Sequence, residues 1–204
     1  MTRHSFDSFG YIMEDVPKDL FDDLSKVVHQ TKAIGIRANN SLAGNIEEEY
    51  QIPNKFIDQS FRGYLQAKVR EYEERWPLRD YYNGILKDEK KGLDISNCWV
   101  NFQKKGEYNP VHDHGGVYSF VIWVKVPYCI KEEQQLKNSV DSNMPSNGAF
   151  SFHYVNTLGL LSAAKIEPTE GKMLFFPSRM NHGVSPFYTS DDYRISISGN
   201  LNFY

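Results

Sequence analysis

The spacing of apolar residues divides the chain into a helical first third and a β-rich remainder. After Pro17, which suits a first helical turn behind the possible cap Asp15, apolar residues recur at helical spacing. They are Leu20, Leu24, Val27 and Val28. A second helix is predicted from about Asn54, with Pro77 as its stop. Its apolar stripe consists of Ile57, Phe61, Leu65, Val69, Tyr72 and Trp76.

From about residue 95 the pattern changes to short runs rich in aromatic and β-branched residues, most of them separated by Gly, Pro, Asn or Asp. The runs are Trp99 to Gln103, Tyr118 to Val126, Ala149 to Val155, Leu160 to Ile166, Met173 to Phe176, His182 to Phe187 and Arg194 to Phe203. Seven or eight such strands predict a sandwich or jelly roll. The run from Tyr118 is apolar on both faces, which favours a central strand. The polar stretch 131–148 is predicted to be an insertion or mobile loop.

The length of 204 residues favours one domain over 1–204, in which a helical portion (1–94) packs on a β core (95–204). The apolar content of 40% indicates a globular protein, and the net charge of −3 gives no reason to expect a nucleic acid partner. Neither a membrane-spanning run nor a signal-peptide pattern is evident, so we expect a cytoplasmic protein without a membrane partner. Cys98 and Cys129 are expected to be buried, reduced thiols.

Candidate metal ligands cluster at His112 and His114. Residues i and i+2 of a strand project from the same face, so the two imidazoles could grip one divalent ion while Asp113 points away. His182 is the best third ligand, because it follows a buried-looking strand and a turn, and Gly183 leaves room beside it. The alternative is three structural histidines, which would be the better interpretation for an isolated histidine.

A candidate anion site follows in the last run, where Arg194, Ser196, Ser198 and Asn200 alternate with apolar residues. If residues 185–192 fold as a hairpin centred near Tyr188, His182 and Arg194 would stand about opposite each other. A guanidinium with a hydroxyl two residues on is a natural clamp for a carboxylate. A solvent-facing polar strand is the competing interpretation.

These elements together resemble the non-haem Fe(II), 2-oxoglutarate-dependent oxygenases, in particular small prolyl-hydroxylase-like members that include phage-encoded forms. That family combines an H-x-D/E…H triad with an R-x-S motif about a dozen residues after the last His. His112 and His182 match the first and last ligands, and Arg194 with Ser196 matches the clamp. The resemblance covers about residues 97–203.

The resemblance implies a double-stranded β-helix (a cupin-like jelly roll), an Fe(II) ion, 2-oxoglutarate as co-substrate and O₂. It implies release of succinate and CO₂ with hydroxylation of a C–H bond in a small-molecule or peptide substrate. Arg194 and Ser196 would hold the far carboxylate of 2-oxoglutarate. Gln103, Tyr118 and Asn200 are further expected neighbours of the co-substrate, although the tyrosine usual at the Gln103 position is absent.

The departure from the family lies at His114, where Asp or Glu is usual. His112, His114 and His182 could form an all-histidine site, a local bulge could turn Asp113 inward, or water or an anion could fill the third position. Strand geometry favours three histidines. A cupin-type three-histidine dioxygenase without 2-oxoglutarate and a non-catalytic barrel that binds a metal or small acid are the alternative functions.

Overall fold

The fold comes from a computed structural model that describes residues 9–80, 82 and 92–204. Its helices are α1 (Lys18–Ile34), α2 (Gln59–Arg75) and the short α3 (Ile130–Gln134). Strands β1 to β10 span, in order, Ile12–Asp15, Glu48–Gln51, Leu93–Gln103, Asn109–His112, Tyr118–Lys125, Phe150–Val155, Leu161–Ile166, Lys172–Pro177, His182–Val184 and Arg194–Phe203. None of the described helices combines the length and the apolar character that crossing a bilayer requires.

The strands form two antiparallel sheets. The larger sheet has the order β1-β8-β5-β10-β3-β2, and the smaller has the order β4-β9-β6-β7. Most neighbours in each sheet are not consecutive in sequence, as in a jelly roll, and strands β8, β9 and β10 alternate between the two sheets. This alternation brings the ends of both sheets toward one cavity.

The two long helices cover the outer face of the larger sheet. Helix α2 begins at its cap Asp58, whose carboxylate accepts a hydrogen bond from the Phe61 backbone N–H at 2.8 Å. Its buried stripe, which includes Leu65 and Tyr72, packs in one cluster with β5 and β10 side chains such as Phe120. Each fully buried side chain of this kind contributes about 1.5–3 kcal/mol, so the helices hold the sheet rigid behind the cavity.

Strand β5 is central, as its two apolar faces predict, because it lies between β8 and β10. One face joins the helix-covered cluster through Tyr118, Phe120 and Ile122. Val121 and Trp123 on the other face belong to a second, smaller cluster with residues of β6 and β8. The sheet therefore separates the helical layer from the inside of the barrel.

Several sequence-based expectations need correction. The portion 1–94 is not only helical, because β1 and β2 extend the larger sheet at its two edges. Helix α2 starts at Gln59, since a separate 3-10 turn occupies Asn54–Phe56. The strand expected over residues 182–187 ends at Val184. Cys98 is buried as predicted, whereas Cys129 is exposed.

The stretch 131–148 is tied to the rest of the molecule by a buried carboxylate. Glu133 in α3 has no exposed surface. Its carboxylate accepts hydrogen bonds from the backbone N–H groups of Tyr188 and Thr189 and from the Thr189 hydroxyl, at 2.6 to 2.9 Å. The insertion is thus anchored near its start to the segment that leads into β10.

Candidate active site

Three histidines converge at the end of the smaller sheet. One ligand atom from each of His112, His114 and His182 lies within 4.8 Å of the others. The ring centroids are 4.8 Å apart for the first pair, 4.4 Å for His112 and His182, and 5.0 Å for His114 and His182. Among the described residues, this is the one group of three or more His, Cys, Asp or Glu side chains with metal-site spacing.

Strand pairing and one loop contact hold these rings in place. His112 and His182 are directly paired on β4 and β9. His114 lies two residues beyond the end of β4, and its backbone N–H donates to the Ser178 carbonyl at 2.9 Å. The i, i+2 spacing therefore brings the two rings together as predicted, although His114 lies in the loop after β4 and not in the strand itself.

Backbone carbonyls determine which ring nitrogens are free. His112 Nδ1 lies 2.7 Å from the Pro110 carbonyl oxygen, and His182 Nδ1 lies 2.8 Å from that of Met180. A carbonyl oxygen only accepts, so each Nδ1 carries the proton and donates. The Nε2 atom of each neutral ring is then left with its lone pair available for a metal, the usual arrangement around histidine ligands.

Burial keeps two of the rings neutral. Removal from water lowers the pKa of His182 to about 3, and the same cause lowers the pKa of His114 to about 4. Neighbouring histidines contribute to both shifts, because a second positive charge nearby is unfavourable. Both rings are therefore neutral at neutral pH, as metal ligands must be.

Aromatic side chains enclose His182. The Phe150 ring is stacked on it at a centroid distance of 5.5 Å, and the Phe176 ring meets it edge-on at 4.9 Å. Both phenylalanines are buried in the smaller apolar cluster. This surrounding excludes water from one side of the three-histidine group.

Asp113 does not enter the group. Its side chain is exposed, and its carboxylate lies 3.2 Å from Arg179 Nη1 on the surface. The backbone places His114, and not Asp113, beside the other two rings, which is the arrangement expected from strand geometry.

Arg194 lies in the same cavity, where it is only 3% exposed. Its Nε and Nη2 atoms donate to Gln103 Oε1, and Nη2 also donates to the Ser185 carbonyl at 3.3 Å. Nη1 donates to the Tyr128 hydroxyl at 2.6 Å and to the Gly148 carbonyl at 3.0 Å. All five guanidinium N–H groups are thus used, but every partner is a neutral oxygen. Among the residues that the structure describes, no carboxylate lies within hydrogen-bonding distance of this buried positive charge.

The remaining predicted co-substrate residues divide into two groups. Ser196 and Gln103 line the cavity with Arg194. Tyr118 does not, because strand alternation turns it toward α2, where its hydroxyl donates to Glu73. Asn200 is on the inward face but is buried beside Ser119, whose hydroxyl donates to it at 2.7 Å. Tyr118 and Asn200 therefore do not line the cavity that contains Arg194, and their contact with the co-substrate stays a prediction.

The prediction of a hairpin that pairs His182 with Arg194 is wrong. His182 is on β9 of the smaller sheet, opposite His112 and Phe152. Arg194 is on β10 of the larger sheet, opposite Gln103. The two residues face one cavity from opposing sheets, and they are not cross-strand neighbours.

Sequence reasoning missed two further residues. Tyr128 follows a proline outside any strand, and nothing in its surroundings signals that it would bind Arg194. Glu49 lies in an acidic run that reads as solvent-facing, yet it is 1% exposed and lines the cavity. Burial, and secondarily the charge of Glu107, raises the pKa of Glu49 to about 7.

The donor set fits a resident divalent iron. Neutral imidazole nitrogens are suitable ligands for Fe, as well as for Zn, Cu and Ni. These rings share one cavity with Arg194. The free lone pairs of the histidine nitrogens are suited to bind a metal ion. The guanidinium of Arg194 is suited to bind an organic acid in the same cavity.

Comparison with known proteins identifies the class. The family described as "Putative 2OG-Fe(II) oxygenase" matches residues 97–200, about half of the chain, and the chain belongs to this family. The protein is therefore a 2-oxoglutarate-dependent oxygenase that uses Fe(II), 2-oxoglutarate and O₂. No sequence among curated proteins matches it significantly.

Solved structures share the fold. A prolyl-4-hydroxylase from Pseudomonas putida is 17% identical with a TM-score of 0.55, over 96% of this chain and 93% of that one. A prolyl hydroxylase from Trichoplax adhaerens, in complex with a peptide fragment of the hypoxia inducible factor oxygen degradation domain, is 14% identical with a TM-score of 0.56. That match covers 97% of this chain and 84% of the other. The architecture is thus the double-stranded β-helix of these oxygenases.

Proposed function

We propose that the protein hydroxylates a C–H bond of a small-molecule or peptide substrate, with Fe(II) held by His112, His114 and His182. The observation that carries this proposal is the convergence of three imidazole nitrogens within 4.8 Å in a cavity that also contains a buried arginine. Iron bound there would activate O₂ for oxidation of the substrate while 2-oxoglutarate supplies two electrons and is converted to succinate and CO₂.

His114 is the third ligand in this proposal, in place of the usual carboxylate. Its ring faces the other two, whereas Asp113 is paired with Arg179 at the surface. The proton on Nδ1 of His112 and of His182 is held by a backbone carbonyl, so each ring is oriented before the metal arrives. Such fixed orientation lowers the entropic cost of assembling the site.

Arg194 and Ser196 bind the far carboxylate of 2-oxoglutarate in this proposal. Because all five guanidinium N–H groups already have neutral acceptors, the acid exchanges with one or more of them and does not fill an empty position. Hydrogen bonds to a charged acceptor are stronger than those to a neutral oxygen, which favours the exchange. Gln103 keeps the guanidinium plane oriented from the neighbouring strand.

The direct test is an anaerobic titration of the protein with Fe(II) and then 2-oxoglutarate, followed by absorbance in the visible region. Chelation of iron by the keto acid gives a charge-transfer band, which we expect at one equivalent of each. Admission of O₂ should then yield succinate. A three-histidine dioxygenase that does not use 2-oxoglutarate would bind iron and give neither the band nor succinate, and that outcome would contradict the proposal.

A further inference from the structure

The part of the cavity formed by β2, β3 and β4 is rich in hydrogen-bond acceptors. It is lined by Glu49, Asn101 and Asn109. Glu49 is 1% exposed and Asn101 is 6% exposed, so neither side chain is satisfied by bulk water. A buried carboxylate beside two buried amide oxygens requires an explanation, since such groups normally have partners.

These acceptors lack donors in the described part of the chain. Asn101 Oδ1 and Asn109 Oδ1 are buried without a hydrogen-bond partner. Glu49 accepts one long hydrogen bond, from Asn39 Nδ2 at 3.3 Å, and no described lysine or arginine forms an ion pair with it. Three inward-facing oxygens are therefore short of hydrogen-bond donors.

The nearest arginine is used elsewhere. Arg37 lowers the pKa of Glu49 only as the weakest of the recorded influences. Its guanidinium donates to the Glu47 carbonyl and to the Tyr50 hydroxyl. The negative charge of Glu49 is consequently directed to the cavity without a bound cation.

Strand register places the acceptors in a row beside the proposed co-substrate site. Glu49 on β2 is opposite Asn101 on β3, and Asn101 is opposite Ser196 on β10. Directly opposite residues have Cβ atoms about 5 Å apart. A molecule bound at Glu49 would thus lie beside the co-substrate, in the same cavity as the three histidines.

Gly44 packs against two of these oxygens. A Cβ atom at Gly44 would stand 2.4 Å from Asn109 Oδ1 and 2.7 Å from Glu49 Oε1. The two oxygens therefore lie close to each other, within reach of one donor group.

We propose that Glu49, Asn101 and Asn109 form a substrate-recognition subsite for a protonated primary amino group. This inference rests on the proposed function and specifies its substrate class. An alkylammonium has three N–H donors and a positive charge, which matches one carboxylate and two unpaired amide oxygens. Trp99, which also lines the cavity, offers an indole ring with which a cation can interact favourably.

The charge distribution supports an ammonium over a hydroxyl or an acid. Arg194 contributes a positive charge to the cavity, and Glu49 contributes a negative one. An acid and an amine would therefore be attracted to different residues. A hydroxyl group has one donor only and would leave two of the three acceptors unpaired.

The experiment compares n-butylammonium with n-butanol as probes of equal length. The protein is loaded anaerobically with Fe(II) and 2-oxoglutarate at pH 8, and each probe is titrated while the protein NMR spectrum is recorded. We expect butylammonium to bind at least about tenfold more tightly than butanol, as a desolvated charge pair allows. Equal affinities would overturn the subsite.

Two variants and a control make the test specific. Glu49→Gln, which keeps the side-chain shape, should abolish the preference for butylammonium, and a preference that survives would overturn the inference. Gly44→Ala should weaken binding of the ammonium because its methyl group would displace the Glu49 and Asn109 oxygens. Glu47→Gln changes an exposed carboxylate on the same segment and should retain the wild-type preference.

Failure of the subsite and failure of the proposed function can be told apart in the same samples. If 2-oxoglutarate binds normally and the two probes bind equally, the subsite alone is wrong. If wild-type protein with iron does not bind 2-oxoglutarate, the proposed function itself is wrong.

Discussion

His112 and His182 are cross-strand partners on β4 and β9, and their ring centroids are 4.4 Å apart. Their separation is set by the hydrogen-bonded ladder and not by flexible loops. The remaining member of the group, His114, depends on one loop contact with Ser178. Two positions of the metal site are thus fixed by secondary structure, while the third can be probed by substitution without disturbing a strand.

Replacement of His114 should affect metal binding much more than replacement of its neighbour. We expect His114→Ala to weaken Fe(II) binding by at least about tenfold, a loss comparable to or larger than that seen on removal of supporting residues. Asp113→Ala should bind iron as the wild type does, because Asp113 pairs with Arg179 at the surface. Iron content after gel filtration measures both, and loss of iron from Asp113→Ala alone would reverse the ligand assignment.

Arg194→Lys should reduce the affinity for 2-oxoglutarate while leaving iron content intact. The ammonium keeps the charge but loses the planar fork, and we expect a loss of about 2–3 kcal/mol in binding free energy. The anaerobic titration described above gives the dissociation constant. Lys105→Ala is the matched control, since it removes an exposed cation paired with Asp191. Wild-type affinity in Arg194→Lys would refute the clamp.

Tyr118→Phe tests whether Tyr118 contacts the co-substrate. Its hydroxyl is bonded to Glu73 on the helical side of the sheet. Loss of this buried hydrogen bond should reduce the free energy of unfolding by about 1–2 kcal/mol and leave 2-oxoglutarate affinity unchanged. Denaturant unfolding and the anaerobic titration measure the two quantities. A weakened affinity in the folded variant would return Tyr118 to the co-substrate site.

The raised pKa of Glu49 predicts a pH-dependent cost to stability. Its pKa is about 7 in the folded protein and near 4.5 as an ordinary glutamate, so the folded state retains the proton more strongly. Between these pH values the unfolded state binds fewer protons, and the stability contributed by the neutral carboxyl is lost as pH rises. Glu49→Gln should therefore be more stable than the wild type by about 1–3 kcal/mol at pH 8 and equally stable near pH 4.

Unfolding of the metal-free protein in denaturant at both pH values provides the measurement. Glu47→Gln is again the control, because its carboxylate is exposed and forms an ion pair with Lys104. A stability difference that does not change between pH 4 and pH 8 would mean that Glu49 is not responsible.

Local patterns in the sequence were sufficient for the fold class and for the residues brought together at the histidine group. The spacing of His112 and His114 and the turn before His182 are local features of the sequence, and they have the same arrangement in the folded protein. Their relation to Arg194 was not predictable in the same way. A hairpin is the simplest connection between two neighbouring strands, but β9 and β10 belong to different sheets, and that choice depends on pairing with β3, β4 and β5.

It was equally difficult to predict which side of the sheet each side chain faces. Tyr118 begins a run that is apolar on both sides, so the sequence offers no contrast from which to choose the inward face. Glu49 stands at the end of three consecutive glutamates, a composition typical of solvent. Its burial results from pairing of β2 with β3, a contact between segments some fifty residues apart.

The three neutral imidazoles have a consequence for how the metal and the acid depend on each other. Such rings contribute no negative charge, so under the proposed assignment the ion keeps its full double charge until the dianionic 2-oxoglutarate arrives. Each would then raise the affinity of the other by the same factor, because thermodynamic linkage between two ligands is reciprocal. The amount of iron that the protein retains would accordingly depend on the concentration of 2-oxoglutarate. Protein depleted of 2-oxoglutarate would release its iron more readily.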